Sequence, residues 1–330
     1  MAGVEDSRAF APPAFRIGEW RTREWAAAVL LVALLVMPLL AWWTGERFYL
    51  DLAIRIVALT IAAVSLDLVL GYGGMISFGH AAFIGIGAYS VGIPAYYGYE
   101  SGLLHFPLAI AAAALFALVT GAVCLRTRGV YFIMITMAFA QMAYYLFMSL
   151  EEYGGDDGLT LYTRSTLPLI SLEAPIALFL FSYASLLVAL YLKHRIVNSR
   201  FGLVIQGAKD NETRMRTVGF DTYAYRLAAY VVSGAMAGYA GALLGNFTSF
   251  ISPSMMSWPR SGELLFMVIL GGAGSIFGPV FGAVGILVVE EFLSGLTLYW
   301  QLPFGLLLIA VVLFARGGVW GLLGRLSGRP

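Results

Sequence analysis

Long apolar runs, separated by short polar or glycine-rich segments, follow one another along almost the whole chain. The runs cover residues 25–43, 48–70, 80–98, 103–124, 130–150, 170–192, 227–250, 261–272, 279–296 and 300–316. An α-helix needs about 20 apolar residues to cross the hydrocarbon core of a bilayer. The pattern therefore predicts an all-α polytopic membrane protein with about ten transmembrane segments.

The composition indicates that lipid is the solvent for most of the surface. Hydrophobic residues make up 60% of the 330 residues and charged residues only 12%, about half the charged share of a soluble domain. The net charge of +1 gives no reason to expect nucleic acid as a partner. One cysteine, Cys124, and three scattered histidines provide neither a disulfide nor a metal site, so we expect no metal and no cofactor.

Basic residues are concentrated in every second connection between the runs, which predicts the orientation of the chain. The basic connections and the C-terminal segment contain Arg126 and Arg128, then Lys193, Arg195, Arg200, Lys209, Arg214, Arg216 and Arg226, then Arg316, Arg325 and Arg329. We therefore expect a multi-pass protein of the bacterial inner membrane with both termini in the cytoplasm. The predicted organisation is a cytoplasmic tail at 1–24, a permease domain at 25–316 and a cytoplasmic tail at 317–330. The run at 25–43 is interpreted as a retained helix, because no small-residue cleavage site follows it.

Two glycine-rich segments interrupt the runs and predict broken helices. The glycines concerned are Gly71 and Gly73 in the first segment and Gly271, Gly272, Gly274 and Gly278 in the second. GMISFG at 74–79 resembles AGSIFG at 273–278, which suggests a two-fold internal repeat of the kind transporters use to build binding sites. The alternatives are a chance likeness between two turns and a seam of small residues that only packs helices together.

Polar residues inside the apolar runs are the candidates for a solute pathway. The predicted pathway residues are Asp67, Gly74, Ser77, Gly79, His80, Tyr131, Thr136 and Gln141. Five of them have a structural alternative: Asp67 could lie near the cytoplasmic interface, His80 could donate to a backbone carbonyl, and the last three could hold helices together. Asp51 and Arg55 are four residues apart on one helix and are predicted to form a structural pair.

The basic connection at 192–226 is predicted to contain a short amphipathic helix that ends at Gly219. It could dock on a cytoplasmic partner or lie on the lipid surface, and its acidic residues favour docking. The residues expected to couple it to an ATPase are Lys209, Asp210, Asn211, Glu212, Arg216 and Gly219. The chain has no Gly-Lys-Ser/Thr phosphate loop, so we expect a transport subunit rather than an enzyme.

Several motifs in order along the chain resemble the LivM-type permeases of branched-chain amino acid ABC importers. They are DLVLGYGGMISFGHAAF at 67–83, LRTRGVYF at 125–132, GGDDGL at 154–159, NSRFG at 198–202, KDNE at 209–212, the Val-Gly pair at 218–219 and ILGGAGSIFGP at 269–279. Asp67 and Met75 depart from the asparagine and glutamine that are common in the family.

The resemblance implies a pore formed with a second, related permease, two cytoplasmic ATPases and a periplasmic binding protein. It also implies that the segment matching 198–219 docks on the ATPase. The solute is then a small polar molecule, most simply a branched-chain amino acid. The alternatives are urea, amides or aromatic or dicarboxylic acids within the same family, or an ion-coupled secondary transporter. A membrane transferase or protease is the alternative from a different class, and the chain shows no catalytic motif typical of either.

Overall fold

The computed structural model describes residues 22–44, 46–168, 171–297, 299–314 and 317–321. Its α-helices are α1 Thr22–Thr44, α2 Phe48–Asp67, α3 His80–Tyr96, α4 Gly102–Cys124, α5 Val130–Met148, α6 Pro175–Val197, α7 Arg200–Asp210, α8 Glu212–Thr217, α9 Thr222–Thr248, α10 Trp258–Gly271, α11 Gly278–Leu296 and α12 Gln301–Phe314. A π-helical turn, Leu68–Tyr72, extends α2, and 3-10 turns occupy Glu151–Tyr153 and Pro253–Met256. Two short strands, β1 Leu159–Thr160 and β2 Phe250–Ile251, pair antiparallel.

Each predicted apolar run, as far as the structure describes it, coincides largely with a helix, which confirms a helical membrane protein. Within the described residues, six helices are long and apolar enough to cross a bilayer: Phe48–Tyr72, Gly102–Cys124, Val130–Met148, Pro175–Val197, Thr222–Thr248 and Gly278–Leu296. With 17 and 14 residues, α3 and α10 are about 26 and 21 Å long, shorter than the hydrocarbon core. The count of ten spans and the internal repeat therefore stay predictions. The predicted tails fall mostly outside the described residues.

Helix α2 forms the centre of the bundle. From Ile56 to Asp67 every residue of this helix is buried, and α2 contacts α1, α6, α9, α10 and α11. By contrast, α4, α5 and α6 each bury one face and expose large apolar side chains on the other. An exposed apolar face of this kind suits lipid or a second membrane subunit.

The loops gather at two ends of the bundle. The end that carries residues 125–129 and 198–221 is called here the basic end, and Arg128 contacts Glu212 there at 3.0 Å. The opposite end carries residues 97–101, 149–168 and 249–257, where β1 pairs with β2 and Tyr97 donates a hydrogen bond to Glu152. The two loops richest in basic residues are therefore neighbours, as alternating connections of an up-and-down bundle require.

Small residues allow α3 and α9 to pack with their backbones in contact. A Cβ added at Gly87 would overlap the carbonyl of Gly238, and a Cβ added at Gly241 would overlap the carbonyl of Ile84. Close approach through small residues is how membrane helices gain van der Waals contact without a hydrophobic driving force. This part of the glycine content is therefore explained by packing.

The close packing of α3 against α9 predicts that Gly87→Ala destabilises the protein, whereas Gly295→Ala does not. A Cβ at Gly295 meets no atom within 4 Å, so the control gains helix propensity without a clash. The added methyl group at position 87 must push α3 and α9 apart, at a cost of about 1–3 kcal/mol. The thermal midpoint of detergent-purified protein measures this, and an unchanged midpoint for Gly87→Ala would contradict the packing.

Candidate functional site

The first helix break lies where α2 ends. The π-helical turn Leu68–Tyr72 widens the helix, and carbonyls in this region accept hydrogen bonds from the N–H groups of Gly74 and Met75. Gly74 has a φ of 66°, a backbone conformation that side chains with a Cβ rarely adopt. The chain then runs without regular structure until α3 begins at His80. The broken helix predicted around Gly71 and Gly73 is present.

The second break separates α10 from α11. Helix α10 ends at Gly271, and Gly272 and Gly274 have φ values of 112° and 78°. Helix α11 starts at Gly278 with a proline in its first turn, where the missing N–H has no helical partner to lose. This break also agrees with the sequence expectation.

The two breaks touch each other at Asp67. The N–H of Gly274 donates to Asp67 Oδ1 at 2.8 Å, and a Cβ at Gly71 would overlap the nitrogen of Gly274. Both segments therefore lack side chains where they meet, at Gly71 and Gly274.

A buried ion pair holds this junction together. Lys193 Nζ donates to Asp67 Oδ2 at 2.7 Å and to the carbonyls of Ser275 and Ile276 at 3.1 and 3.4 Å. Both charged side chains are 0% exposed. Each ion alone would lose several kcal/mol of hydration on burial, and only a close partner with further hydrogen bonds offsets that loss. Asp67, Lys193 and the second break therefore depend on one another.

The sequence pattern places Lys193 wrongly. The pattern assigns it to the cytoplasmic connection, but it lies within α6 and is fully buried. The structure shows Asp67 fully buried and paired with Lys193, one helical turn before the contact of Gly71 with the basic connection. The available signal was the position of Lys193 directly after an apolar run, in a chain with an intramembrane carboxylate that needed a counter-ion.

The basic connection reaches the first break through Lys209. Its Nζ donates to the carbonyl of Gly71 at 2.7 Å, and its side-chain carbons lie against the space that a Cβ at Gly74 would fill. A carbonyl at a helix end lacks an intrahelical donor, so this lysine completes the hydrogen bonding of α2. The predicted coupling segment thus touches the predicted helix break directly.

Four of the predicted pathway residues form a second buried cluster. His80 lies with its ring nitrogens 3.0 Å from Ser77 Oγ and 2.8 Å from Ser233 Oγ, so its partners are hydroxyls rather than the backbone carbonyl considered above. Thr136 Oγ1 accepts from the N–H of Phe78 at 3.2 Å, and the Cβ position of Gly79 lies close to the carbonyl of Thr136. The cluster fixes the start of α3 against α5 and α9.

The other two pathway candidates on α5, Tyr131 and Gln141, do not join this cluster. Tyr131 is 73% exposed at the start of α5, and Gln141 is half-buried on the same helix. At the basic end, a cavity lined by Gly74, Met75, Arg128 and Arg226 lies between the first break and the start of α5. This cavity borders the break directly.

The predicted single amphipathic helix is two helices. Asn211 separates α7 from α8, and its side chain accepts from the N–H of Arg214 at the start of α8. Its extended backbone, with φ and ψ of −155° and 98°, is incompatible with a continuous helix. The chain does turn at Gly219, which has a φ of 99°, as expected for a glycine just after a helix.

Glu212 binds within the protein rather than pointing outward. Its carboxylate contacts Arg216 at 2.6 Å, Arg226 at 2.8 Å and Arg128 at 3.0 Å, and its side chain is 11% exposed. The carboxylate therefore joins α8 to α9 and to the connection before α5. The role of Glu212 in coupling to an ATPase stays a prediction.

The predicted pair of Asp51 with Arg55 is also wrong. Arg55 donates to Glu290 at 2.9 Å and lies 4.0 Å from Glu291, and no ion pair joins it to Asp51 in the part of the chain that the structure describes. Spacing along one helix could not reveal this, because the true partners lie on α11. The interhelical pair links α2 to α11. Helix α2 precedes the first break, and α11 follows the second.

Comparison with known proteins gives the class of this chain. Residues 48–315 match the family described as branched-chain amino acid transport system / permease component. The chain belongs to this family of permeases. It is 27% identical over 318 residues to the high-affinity branched-chain amino acid transport system permease protein LivM of Escherichia coli, covering 88% of this chain and 74% of that protein.

Other relatives match a smaller part of this chain. The chain is 24% identical over 278 residues to a probable branched-chain amino acid transport permease protein LivM of Methanocaldococcus jannaschii, covering 71% of this chain and 78% of that protein. It is 30% identical over 104 residues to the nucleoside ABC transporter permease protein NupC of Lactococcus lactis subsp. cremoris, covering 27% and 33%. No solved structure shows a significant match to this permease.

The ion pair predicts a non-additive pattern of stability. Asp67→Asn or Lys193→Met alone leaves one charge or one set of hydrogen-bonding groups without its partner, at a cost of about 3–5 kcal/mol. The double variant removes both charges, and the side-chain oxygen of the introduced asparagine can still accept from Gly274, so we expect recovery of much of the loss. The yield and the thermal midpoint of the purified protein are measured for the wild type, the two single variants and the double variant. A loss of stability in the double variant equal to the sum of the two single losses would contradict the pairing.

Proposed function

We propose that this permease is a subunit of an ABC importer that takes up an amino acid of the branched-chain type. It forms the translocation path with a second, related permease, receives solute from a periplasmic binding protein and is driven by two separate ATPases. The observation that carries the proposal is the family match, which extends over residues 48–315. The orientation, with both termini in the cytoplasm of a bacterial inner membrane, rests on the distribution of basic residues.

The first break is proposed to be the moving part of the path. Gly74 has a positive φ and lies exposed beside the basic-end cavity, in a stretch without regular structure. The cluster of Ser77, His80 and Thr136 provides the fixed side against which it moves. Tyr131 and Gln141 lie on α5, whose partly exposed surface suits a second permease or the path between the two subunits.

The segment α7–α8 is proposed to dock on an ATPase. Leu203, Val218 and Phe220 expose 62%, 66% and 38% of their surface at the basic end, and exposed apolar side chains beside Asp210 and Arg214 suit a protein groove. The carboxylate of Glu212 keeps α8 rigid, because it binds three arginines that lie on different segments. Lys209 then transmits a displacement of α7 to the carbonyl of Gly71.

Reconstitution tests the proposed function. The permease is assembled in proteoliposomes with the second permease, the two ATPases and the binding protein. These proteoliposomes should accumulate leucine only when ATP is supplied. Vanadate should stop uptake and a proton uncoupler should not; the reverse result would indicate a secondary transporter. A competitor panel of nucleosides, urea, amides, aromatic acids and dicarboxylic acids identifies the solute if leucine is not taken up.

Docking predicts a site-specific crosslink. In a Cys124→Ser background, Val218→Cys should crosslink to the ATPase, whereas Leu115→Cys on α4, which is similarly exposed at 63% against 66%, should not. The physical reason is that only the α8 turn faces the partner, while α4 faces the membrane. Mass spectrometry of the assembled complex identifies the product.

A charged side chain at Val218 tests whether this position also couples the permease to ATP hydrolysis. Val218→Asp should abolish the rise in ATP hydrolysis that the loaded binding protein causes, because a carboxylate would be desolvated in the groove. The variant should still insert and still bind the loaded binding protein. Normal stimulation together with no crosslink from Val218→Cys would remove the docking proposal in favour of a helix on the lipid surface.

A further inference from the structure

We propose that a cavity between α2, α9 and α10 is a binding subsite for a free aliphatic α-amino acid. Arg55 would bind the carboxylate and Glu263 the ammonium group. This inference rests on the proposed function and adds the residues that would recognise the solute inside the membrane. The cavity lies near the end of the bundle opposite the basic end, and its lining combines Arg55, Arg260 and Glu263 with apolar side chains such as Leu59, Phe247 and Met267.

The position of Arg55 is the first argument. It lies seven residues after the start of α2, which is about 10 Å along the helix axis. An arginine at such a depth must face protein or water rather than lipid, since exposure to hydrocarbon costs several kcal/mol. Its side chain keeps 27% of its surface exposed, and the cavity is the space it faces. A guanidinium has five N–H donors, and Glu290 accepts from only one nitrogen at 2.9 Å.

The arrangement of charge is the second argument. Arg260 binds Glu263 at 2.6 Å on the first turns of α10, and both side chains keep 43% of their surface exposed. The cavity lining therefore combines the guanidinium of Arg55, which Glu290 and Glu291 on α11 approach from one side, with the ion pair of α10 and apolar side chains. A zwitterion with an aliphatic side chain complements this set: a carboxylate for Arg55, an ammonium for Glu263 and a hydrocarbon group for Leu59 and Met267.

The helices that line the cavity supply the third argument. The far ends of α2 and α10 are the two breaks that meet at Asp67, and Arg55 is about 24 Å from Gly71 along α2. A ligand held between Arg55 and Glu263 would draw together the two helices whose other ends form the junction. Binding at this end would thus be linked to the geometry of the breaks through α2 and α10.

The test measures binding of radiolabelled leucine to the purified complex of both permeases and ATPases in nanodiscs, without the binding protein. Arg55→Gln and Glu263→Gln should each weaken leucine binding about tenfold or more, the effect of losing one charge-assisted hydrogen bond. Asp51→Asn is the matched control, because Asp51 is exposed on the same helix and does not line the cavity; it should bind as the wild type does.

Ligand analogues separate recognition from a structural role. 4-Methylpentanoate lacks the ammonium group and 3-methylbutylamine lacks the carboxylate, so each should compete poorly with leucine in the wild type. In Glu263→Gln the disadvantage of 4-methylpentanoate should shrink, a change that mere loosening of the fold would not produce. If Arg55→Gln fails to assemble, Glu263→Gln, on the exposed first turns of α10, still decides.

The outcomes distinguish the two levels of proposal. Leucine uptake by the full importer, with no leucine binding to the complex or with unchanged binding in Glu263→Gln, would overturn the subsite and leave the proposed function intact. No uptake of any amino acid by the full importer, with uptake of a solute of another class, would overturn the proposed function itself.

Discussion

The contact on which the rest of this permease depends is the buried ion pair of Asp67 with Lys193. Neither charge can remain in the interior without the other, so the end of α2 and the end of α6 are fixed together. The same two side chains also satisfy backbone groups of the second break, through the N–H of Gly274 and the carbonyls of Ser275 and Ile276. The two charged side chains thereby supply hydrogen-bond partners that this irregular backbone would otherwise lack inside a membrane protein.

Glycine makes this arrangement sterically feasible. Gly71 and Gly274 approach so closely that a side chain at Gly71 would fill the space of the neighbouring backbone. The positive φ values of Gly74, Gly272 and Gly274 then let both chains turn within a few residues. Elsewhere glycine has the simpler role of drawing α3 against α9. The glycine content of the chain therefore serves two purposes, and position along the fold separates them.

Helix α2 connects the features that matter for transport. Near one end it carries Arg55, bound to Glu290 on α11 and facing a cavity. At the other it carries Asp67 and the carbonyl of Gly71, which accepts from Lys209 of the basic connection. A buried helix transmits displacement to its neighbours, because a close-packed interior has low compressibility and transmits strain. Solute-side and ATPase-side events would therefore be linked through a single element rather than through a chain of loops.

By itself, the sequence determined the solvent, the helical class, both glycine breaks and the family, because hydrophobic length, glycine spacing and ordered motifs are local properties of a chain. Only the tertiary structure decided which charges meet. Lys193 is 126 residues from Asp67 and Arg55 is 235 residues from Glu290, and no periodicity relates such positions. The same holds for Glu212, whose inward position depends on arginines from two other segments. Partner choice among buried charges depends on how helices pack side by side, which a one-dimensional pattern does not encode.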